Sequence, residues 1–480
     1  MKIMNLNNLK LRHTAVFLLL LTATIVFGQT PPGPVGVNWV LVTFNQPPTT
    51  YTVTKSPLRY NKQMALSFHA DDGIADVYTV AFPFFTGVQV GNSNYPGLFY
   101  TDGCGNDIPF TLGSSVFSFN GVSGPDVHAP GNNFNAVTWP QLDTMYKNNC
   151  AIFNHGVNSE NYSDPASIQY SIKRNEGYIR RKLVETTPGG VKTKLFVNPN
   201  GNINWSPYAF NLGYMAALNQ AGGGILGNLG GNVNAIAWNQ PYNIIRLQGE
   251  NTNVPNLVAQ MQNLSINGAN YWATVFTHSI VNNYPLSKFT SDFNAVAATY
   301  GKFGSDNLWM ATEEEIINYL TVRDATSLNT GVAGNNLIIM FEGEIPSDMR
   351  FHALSLVVNS DATITNIQVN GGTNNSFTGV GQNQALINLE WEGTYIHPFE
   401  VLADSFVTIA EQTQAQFDCW IAMDYVMMVP PGPERSELKL RLCGIPNVQY
   451  EDGFCDECEF SLGPDATICQ GYCVTLSAPA

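Results

Sequence analysis

Four short apolar runs in the chain end on residues suited to metal-assisted hydrolysis. Met64–Phe68 leads into His69-Ala70-Asp71-Asp72-Gly73, and Ala151–Phe153 into Asn154-His155-Gly156. Lys194–Val197 leads into Asn198-Pro199-Asn200-Gly201, and Trp272–Phe276 into Thr277-His278. Two adjacent carboxylates followed by two histidines can supply a base, metal ligands and an acid. Neighbouring residues at a strand end can point different ways, so Asp72 can bind a cation while Asp71 faces substrate as general base. A base beside a divalent cation stays ionised at neutral pH. His155 offers a neutral imidazole nitrogen to the same metal, and His278, from another strand, can protonate a leaving group. Taken singly, Asp-Asp-Gly reads as a turn and a lone histidine as a hydrogen-bonded structural residue. The functional reading comes from four such strand ends together.

Residues of this kind need a scaffold that gathers strand ends on one face. Short buried strands with polar residues just past their C-terminal ends are the pattern of a β/α barrel. From Pro57 to about Ala325 apolar runs alternate with helix-like segments. Thr138-Trp139-Pro140-Gln141 predicts a helix start, with Thr as N-cap, Pro early and Gln three residues on. Thr312-Glu313-Glu314-Glu315 predicts another, with Ile316 and Leu320 on one face. Asn198–Gly201 and Gly222–Gly231 read as loops. Gly222–Gly231 has no strand-loop-helix context and no following Lys, so it is not a phosphate cradle. After about Leu328 the texture becomes β-like. Leu337–Met340, Leu354–Val358, Ile364–Val369, Gln384–Leu389, Phe406–Ala410, Trp420–Met428 and Leu438–Leu442 read as strands of a β-sandwich. The expected organisation is a signal peptide (1–28), a Pro/Thr-rich leader (29–56) contributing an edge strand at Asn38–Phe44, and a barrel (57–325). A sandwich (328–443), a Cys-rich connector (444–460) and the start of a further β unit (461–480) follow.

Charged residues are 12% of the chain, hydrophobic residues 44%, and the formal net charge is −15. That composition belongs to a folded, extracellular type of protein and argues against nucleic acid or anionic membrane as partner. Lys2, Lys10 and Arg12 precede an apolar run, Ala15–Phe27, with Gly28 before Gln29, the pattern of an export signal too short to span a membrane comfortably. No later stretch reaches spanning length, so the expected localisation is exported: extracellular or at the cell surface, with the periplasm as the alternative. The eight cysteines then favour disulfides over zinc, with connectivity open.

At this point the motifs resemble a known family. Ala65-Leu66-Ser67-Phe68-His69-Ala70-Asp71-Asp72-Gly73 resembles the first motif of the polysaccharide deacetylases, the NodB-type homology domain. Trp139, Leu142 and Asn154-His155-Gly156-Val157-Asn158-Ser159 resemble the second, Phe196–Gly201 the third, and Val275-Phe276-Thr277-His278 the last. Trp309 through Arg323 resembles a closing helix of secreted members. The resemblance implies a distorted β/α barrel that hydrolyses an N- or O-acetyl group of a polysaccharide with zinc or a similar divalent ion. It implies Asp71 as base, Asp72 and His155 as metal ligands, His278 as general acid and Pro199, Asn200 and Gly201 as a substrate loop. The fold class is then α/β, a distorted NodB-like barrel followed by an all-β sandwich.

The sequence departs from the family pattern at several positions. Ser159 stands where the second motif carries its second histidine, and His69 and Ala70 stand where Thr and Phe are usual. Val197 replaces an Arg that orients the base, and Asn200 replaces an aromatic residue. A third metal ligand could come from His69, His128, Asp126 or Glu160. The alternative reading is a catalytically decayed barrel that binds carbohydrate or serves adhesion at the cell surface. Trp391, Tyr395 and Trp420 could form a sugar platform, although core packing is the commoner role for such residues. Leu462–Gly471 and Val474-Thr475-Leu476 resemble the opening of immunoglobulin- or PKD-like repeats. That resemblance implies the front part of a longer surface protein or a truncated reading frame.

Overall fold

The computed structural model describes residues 36–455 apart from 122–123, 159, 185–190, 192, 221–233, 236–240, 266–269, 347–348 and 393–398. The expected signal peptide, Ser159, the Gly222–Gly231 loop, Tyr395, His397, Cys458, Cys469, Cys473 and the repeat-like 461–480 lie outside the described residues. The chain divides into two compact units. One takes its described residues from 36–56, 321–346 and 352–392, and the other from 57–320, 349–351 and 399–455.

In the larger unit seven parallel strands close into a ring among the described residues. They are β1 (Met64–Ala70), β2 (Gly113–Val116), β3 (Ala151–Asn154), β4 (Leu195–Val197), β5 (Ala216–Gln220), β6 (Ile244–Gln248) and β7 (Tyr271–Thr277). Each pairs with the next in chain order, and β7 pairs with β1 from Tyr271↔Met64 to Thr277↔Ala70. The distortion has a definite place. The free edge of β1 is shared: His69 and Ala70 pair with β2, while Met64–Leu66 pair with an extra strand, Leu308–Met310. That extra strand leads into the helix Glu313–Ala325, so the helix start comes in at the β1–β2 seam.

The barrel core is built from strands buried on both faces, as in β1, where every residue is buried. Both predicted helix starts form. Thr138 and Gln141 make a reciprocal capping box for the helix Trp139–Lys147. Thr312 Oγ1 accepts from the Glu315 N–H, and Ile316 and Leu320 are buried.

Three segments expected as strands are helical. Phe399–Thr413 contains Phe406–Ala410, Gln416–Val426 covers most of Trp420–Met428, and Pro433–Cys443 contains Leu438–Leu442. They belong with the barrel and not with a sandwich. The helix Gln416–Val426 buries Cys419 and all of Ile421–Val426, so its sequence shows no one-sided periodicity to separate it from a buried strand. It lies against the helix Pro165–Lys182, where Asp424 takes Nη1 of Arg174 and, at 3.2 Å, Nη1 of Arg181. Cys443 and Cys455 form a disulfide, and Cys150 and Cys419 are buried.

The smaller unit is antiparallel throughout. One sheet orders Ser327–Ala333, Asn336–Glu342, Val37–Phe44 and Ile364–Gly371. The other orders Ser376–Thr378, Gln384–Trp391, His352–Ser360 and Tyr51–Lys55. Val37–Phe44 is therefore an interior strand rather than an edge, with Val40 and Val42 buried and a neighbour on each side. Trp391 is buried in this unit, its ring under Gly36, which leaves it no open face for a sugar. In the larger unit Trp420 donates its indole N–H to the Gln449 carbonyl and stacks with Arg174.

Candidate functional site

β1 ends on the Asp71-Asp72-Gly73 turn. The Asp71 N–H continues the ladder to the Thr277 carbonyl of β7 at 2.8 Å, which sets His278 beside it at the neighbouring strand end. Asp72 and Gly73 then turn the chain through left-handed backbone, at φ 66° and 58°. Only glycine fits at position 73, because a Cβ there would lie 2.7 Å from Cε1 of His128. His128 itself is pinned, with Nδ1 2.6 Å from the Val137 carbonyl and Nε2 3.0 Å from that of Phe117. The turn separates the two carboxylates: Asp71 is buried, while the side chain of Asp72 is 30% exposed.

Asp71 has a dense set of partners. Arg246 Nη1 reaches its two oxygens at 2.8 and 2.9 Å, and the Ser115 hydroxyl donates to Oδ1 at 2.7 Å. Burial works to raise its pKa. The Arg246 guanidinium, with help from His69 and His155, overcomes that and holds the carboxyl well below the usual carboxylate range. Arg246 is fully buried on β6, and its guanidinium lies 4.1 Å over the Phe276 ring. It holds Asp71 from β6, whereas Val197 occupies the position where the resembled third motif carries an Arg. Sequence reasoning missed it, and the available signal was a lone Arg inside the apolar run Ile244–Leu247.

His155 closes β3. Its Nδ1 lies 2.9 Å from the Val197 carbonyl of β4, which fixes the tautomer that turns Nε2 toward Asp72, 3.4 Å from Oδ1. Burial disfavours its charged form, yet Asp72 and Asp71 together lift its pKa above the ordinary histidine value. The Pro199–Gly201 turn follows β4, with Asn200 and Gly201 at φ 53° and 65°. Pro199 is buried beside Gly156, Asn200 is exposed, and the second and third motifs meet through the His155–Val197 contact. His278 is partly exposed, with its ring 5.8 Å from that of Phe276.

Asp72 and His155 are the pair that could hold a cation. Their 3.4 Å separation is close to the roughly 3.3 Å expected between two ligands about 2.0 Å from a tetrahedral zinc. Among the described residues no group of three or more His, Cys, Asp or Glu side chains is arranged to hold an ion. The expected third donors are engaged elsewhere or stand apart. His69 bonds Glu313 and Arg246, and His128 faces two backbone carbonyls. Asp126 accepts from Trp139 and Tyr178, and Glu160 is exposed.

No family model matches the sequence, and no curated protein matches it. Among solved structures the chain is similar to the Streptococcus pyogenes deacetylase PplD in complex with acetate (17% identity, 37% of this chain and 62% of that one, TM-score 0.25). It is similar to an assigned polysaccharide deacetylase from Mycobacterium smegmatis (12% identity, 57% and 96% covered, TM-score 0.32). A third similar structure is PuuE allantoinase (11% identity, 53% and 89% covered, TM-score 0.30). The chain spans less than two thirds of the first of these. The barrel assignment rests on the strand pairing itself and not on these likenesses.

Proposed function

We propose that this barrel belongs to an exported protein that hydrolyses N- or O-acetyl groups on a polysaccharide. The supporting observation is the juxtaposition of a buried, Arg-held carboxylate, Asp71, with the partly exposed Asp72 and the buried His155 at the C-terminal ends of parallel strands. In this reading Asp72 and His155 hold a divalent cation, zinc by preference, which supplies Lewis acidity toward the acyl oxygen. Asp71 takes the proton of the attacking water. Its depressed pKa keeps it an anion at neutral pH, and Arg246 and Ser115 fix its direction. His278 returns a proton to the leaving nitrogen or oxygen. The turn at Pro199, Asn200 and Gly201 lies against the His155 strand end and contacts the glycan.

A second reading keeps the barrel as a carbohydrate-binding or surface-adhesion module without turnover. It is favoured by the two-donor character of the cation pair among the described residues. One experiment separates them: bound metal after dialysis against trace zinc, in the purified protein and in His155→Ala, with acetate release from acetylated chitin and xylan fragments. Near-stoichiometric metal that His155→Ala loses, together with acetate release that Asp71→Asn lowers by about 100- to 10,000-fold, supports the hydrolase. No metal in either protein, even in excess zinc, overturns it and leaves the binding module.

A further inference from the structure

Behind Asp71 the barrel interior holds a second carboxylate–imidazole pair that the reading above does not use. His69 sits on β1 two residues before Asp71, and Glu313 is the first residue of the helix entering at the β1–β2 seam. Both are fully buried. Nδ1 of His69 lies 2.6 Å from Oε1 of Glu313. Nε2 faces Nη1 of Arg246 at 2.5 Å and Oδ1 of Asp71 at 3.3 Å. Phe153 meets the ring edge-on at 5.7 Å, and Phe276 lies along it at 6.1 Å.

A carboxylate only accepts hydrogen bonds, so the Nδ1 proton points to Glu313. Nε2 is then left for the ion pair. Unprotonated, it accepts from Arg246; protonated, it donates to Asp71. In either state the ring touches the pair that sets the direction of the Asp71 carboxyl. Among the described residues Oε2 of Glu313 has no hydrogen-bond partner, so the bond to His69 is what orients the side chain. Apolar residues would fill both positions at lower solvation cost, so the pair is expensive as mere packing.

We propose that Glu313 and His69 are positioning residues for Asp71: Glu313 takes the Nδ1 proton of His69, fixes the ring, and presents Nε2 to the Asp71–Arg246 ion pair. This rests on Asp71 being the base and adds the apparatus that aims it. The couple also accounts for a histidine at a position where the resembled motif has Thr.

The test combines nitrogen NMR of histidine- and arginine-labelled protein with acetate-release kinetics, on wild type, Glu313→Gln, His69→Asn and His69→Gln. Glu313→Gln keeps an acceptor oxygen and removes the charge. The Asn side chain reaches toward Glu313 but leaves the Nε2 position empty, whereas the Gln side chain can reach toward Arg246. The expected spectra show His69 protonated at Nδ1 in the wild type. In Glu313→Gln that resonance shifts and the Arg246 guanidinium protons lose their protection from exchange. The expected kinetics are a fall in kcat of about 10- to 100-fold for Glu313→Gln with KM little changed, and a smaller fall for His69→Gln than for His69→Asn. An unprotonated Nδ1, or Glu313→Gln leaving both the Arg246 signals and kcat as in wild type, overturns the proposal. If the wild type releases no acetate, the hydrolase reading fails, and the His69 and Arg246 spectra alone decide the positioning claim. If the His69 variants do not fold, Glu313→Gln carries the test.

Discussion

At the scale of single residues the site is governed by a charge taken out of water. Asp71 is buried, and an isolated buried carboxylate would be neutral. Arg246 reverses this, so removing the guanidinium leaves an uncompensated buried charge. Arg246→Gln should destabilise the protein by about 3–5 kcal/mol, measured by urea unfolding at pH 7. The pH dependence has a definite sign. The folded pKa of Asp71 is depressed by Arg246 and the nearby histidines, which overcome burial. Its contribution is therefore fully present above the unfolded value of about 3.9 and is lost as pH falls through the folded value. The stability gap between wild type and Arg246→Gln should narrow as pH falls from 7 to 4, because the unpaired buried Asp71 of the variant takes up a proton on folding, and narrow further below about pH 4 as the wild-type contribution is lost. A gap that is constant across that range would mean that Arg246 acts through packing alone.

At the scale of elements, the strand ends were legible and their neighbours across the barrel were not. β1, β3, β4 and β7 announce themselves because each ends an apolar run on polar, turn-forming residues. Arg246 was hidden because a strand facing the barrel interior shows its partner only once the ring is closed. Glu313 was hidden differently: in sequence it is one of three glutamates opening a helix, where acidic residues are ordinary. The central position of Val37–Phe44 depends on partners at 336–342 and 364–371, a separation that local patterning does not report. The Asp71-Asp72-Gly73 turn is the element on which the site depends most. Gly73→Ala adds a Cβ 2.7 Å from the pinned His128 ring, on left-handed backbone. Gly91 is a control, with φ 56° and no atom within 4 Å of its Cβ position. Gly91→Ala should cost about 1 kcal/mol from the backbone alone. Gly73→Ala should cost about 2–3 kcal/mol and weaken zinc binding by displacing Asp72. Equal losses in thermal unfolding, with zinc affinity intact, would remove the turn from the site's support.

At the scale of the larger unit, the three helices from Phe399 to Cys443 are part of the barrel protein, though the chain reaches them only after the strands of the smaller unit. Their attachment is electrostatic as well as apolar. Fully buried Asp424 joins Arg174 and Arg181 of the helix Pro165–Lys182, while Phe119, Tyr178 and Trp420 surround the Arg174 guanidinium. That helix also carries Asn175, which donates to Asn154 Oδ1 and to the Val116 carbonyl, the same carbonyl that receives the His155 N–H. Buried polar contacts at the adjacent residues Arg174 and Asn175 of that helix therefore face the C-terminal helices on one side and the strand end bearing His155 on the other. Asp424→Asn leaves Arg174 and Arg181 with Glu451 as their remaining carboxylate partner. The expected loss is about 3 kcal/mol. If the two sets of contacts are mechanically coupled, amide exchange should accelerate along Pro165–Lys182 and at the ends of β2 and β3, while amides of β7 keep their protection. Acceleration confined to Gln416–Val426 would mean that the C-terminal helices cover the barrel without bracing the site. Uniform acceleration over all seven strands would mean that the barrel opens as one cooperative unit, with no privileged route from Asp424 to His155.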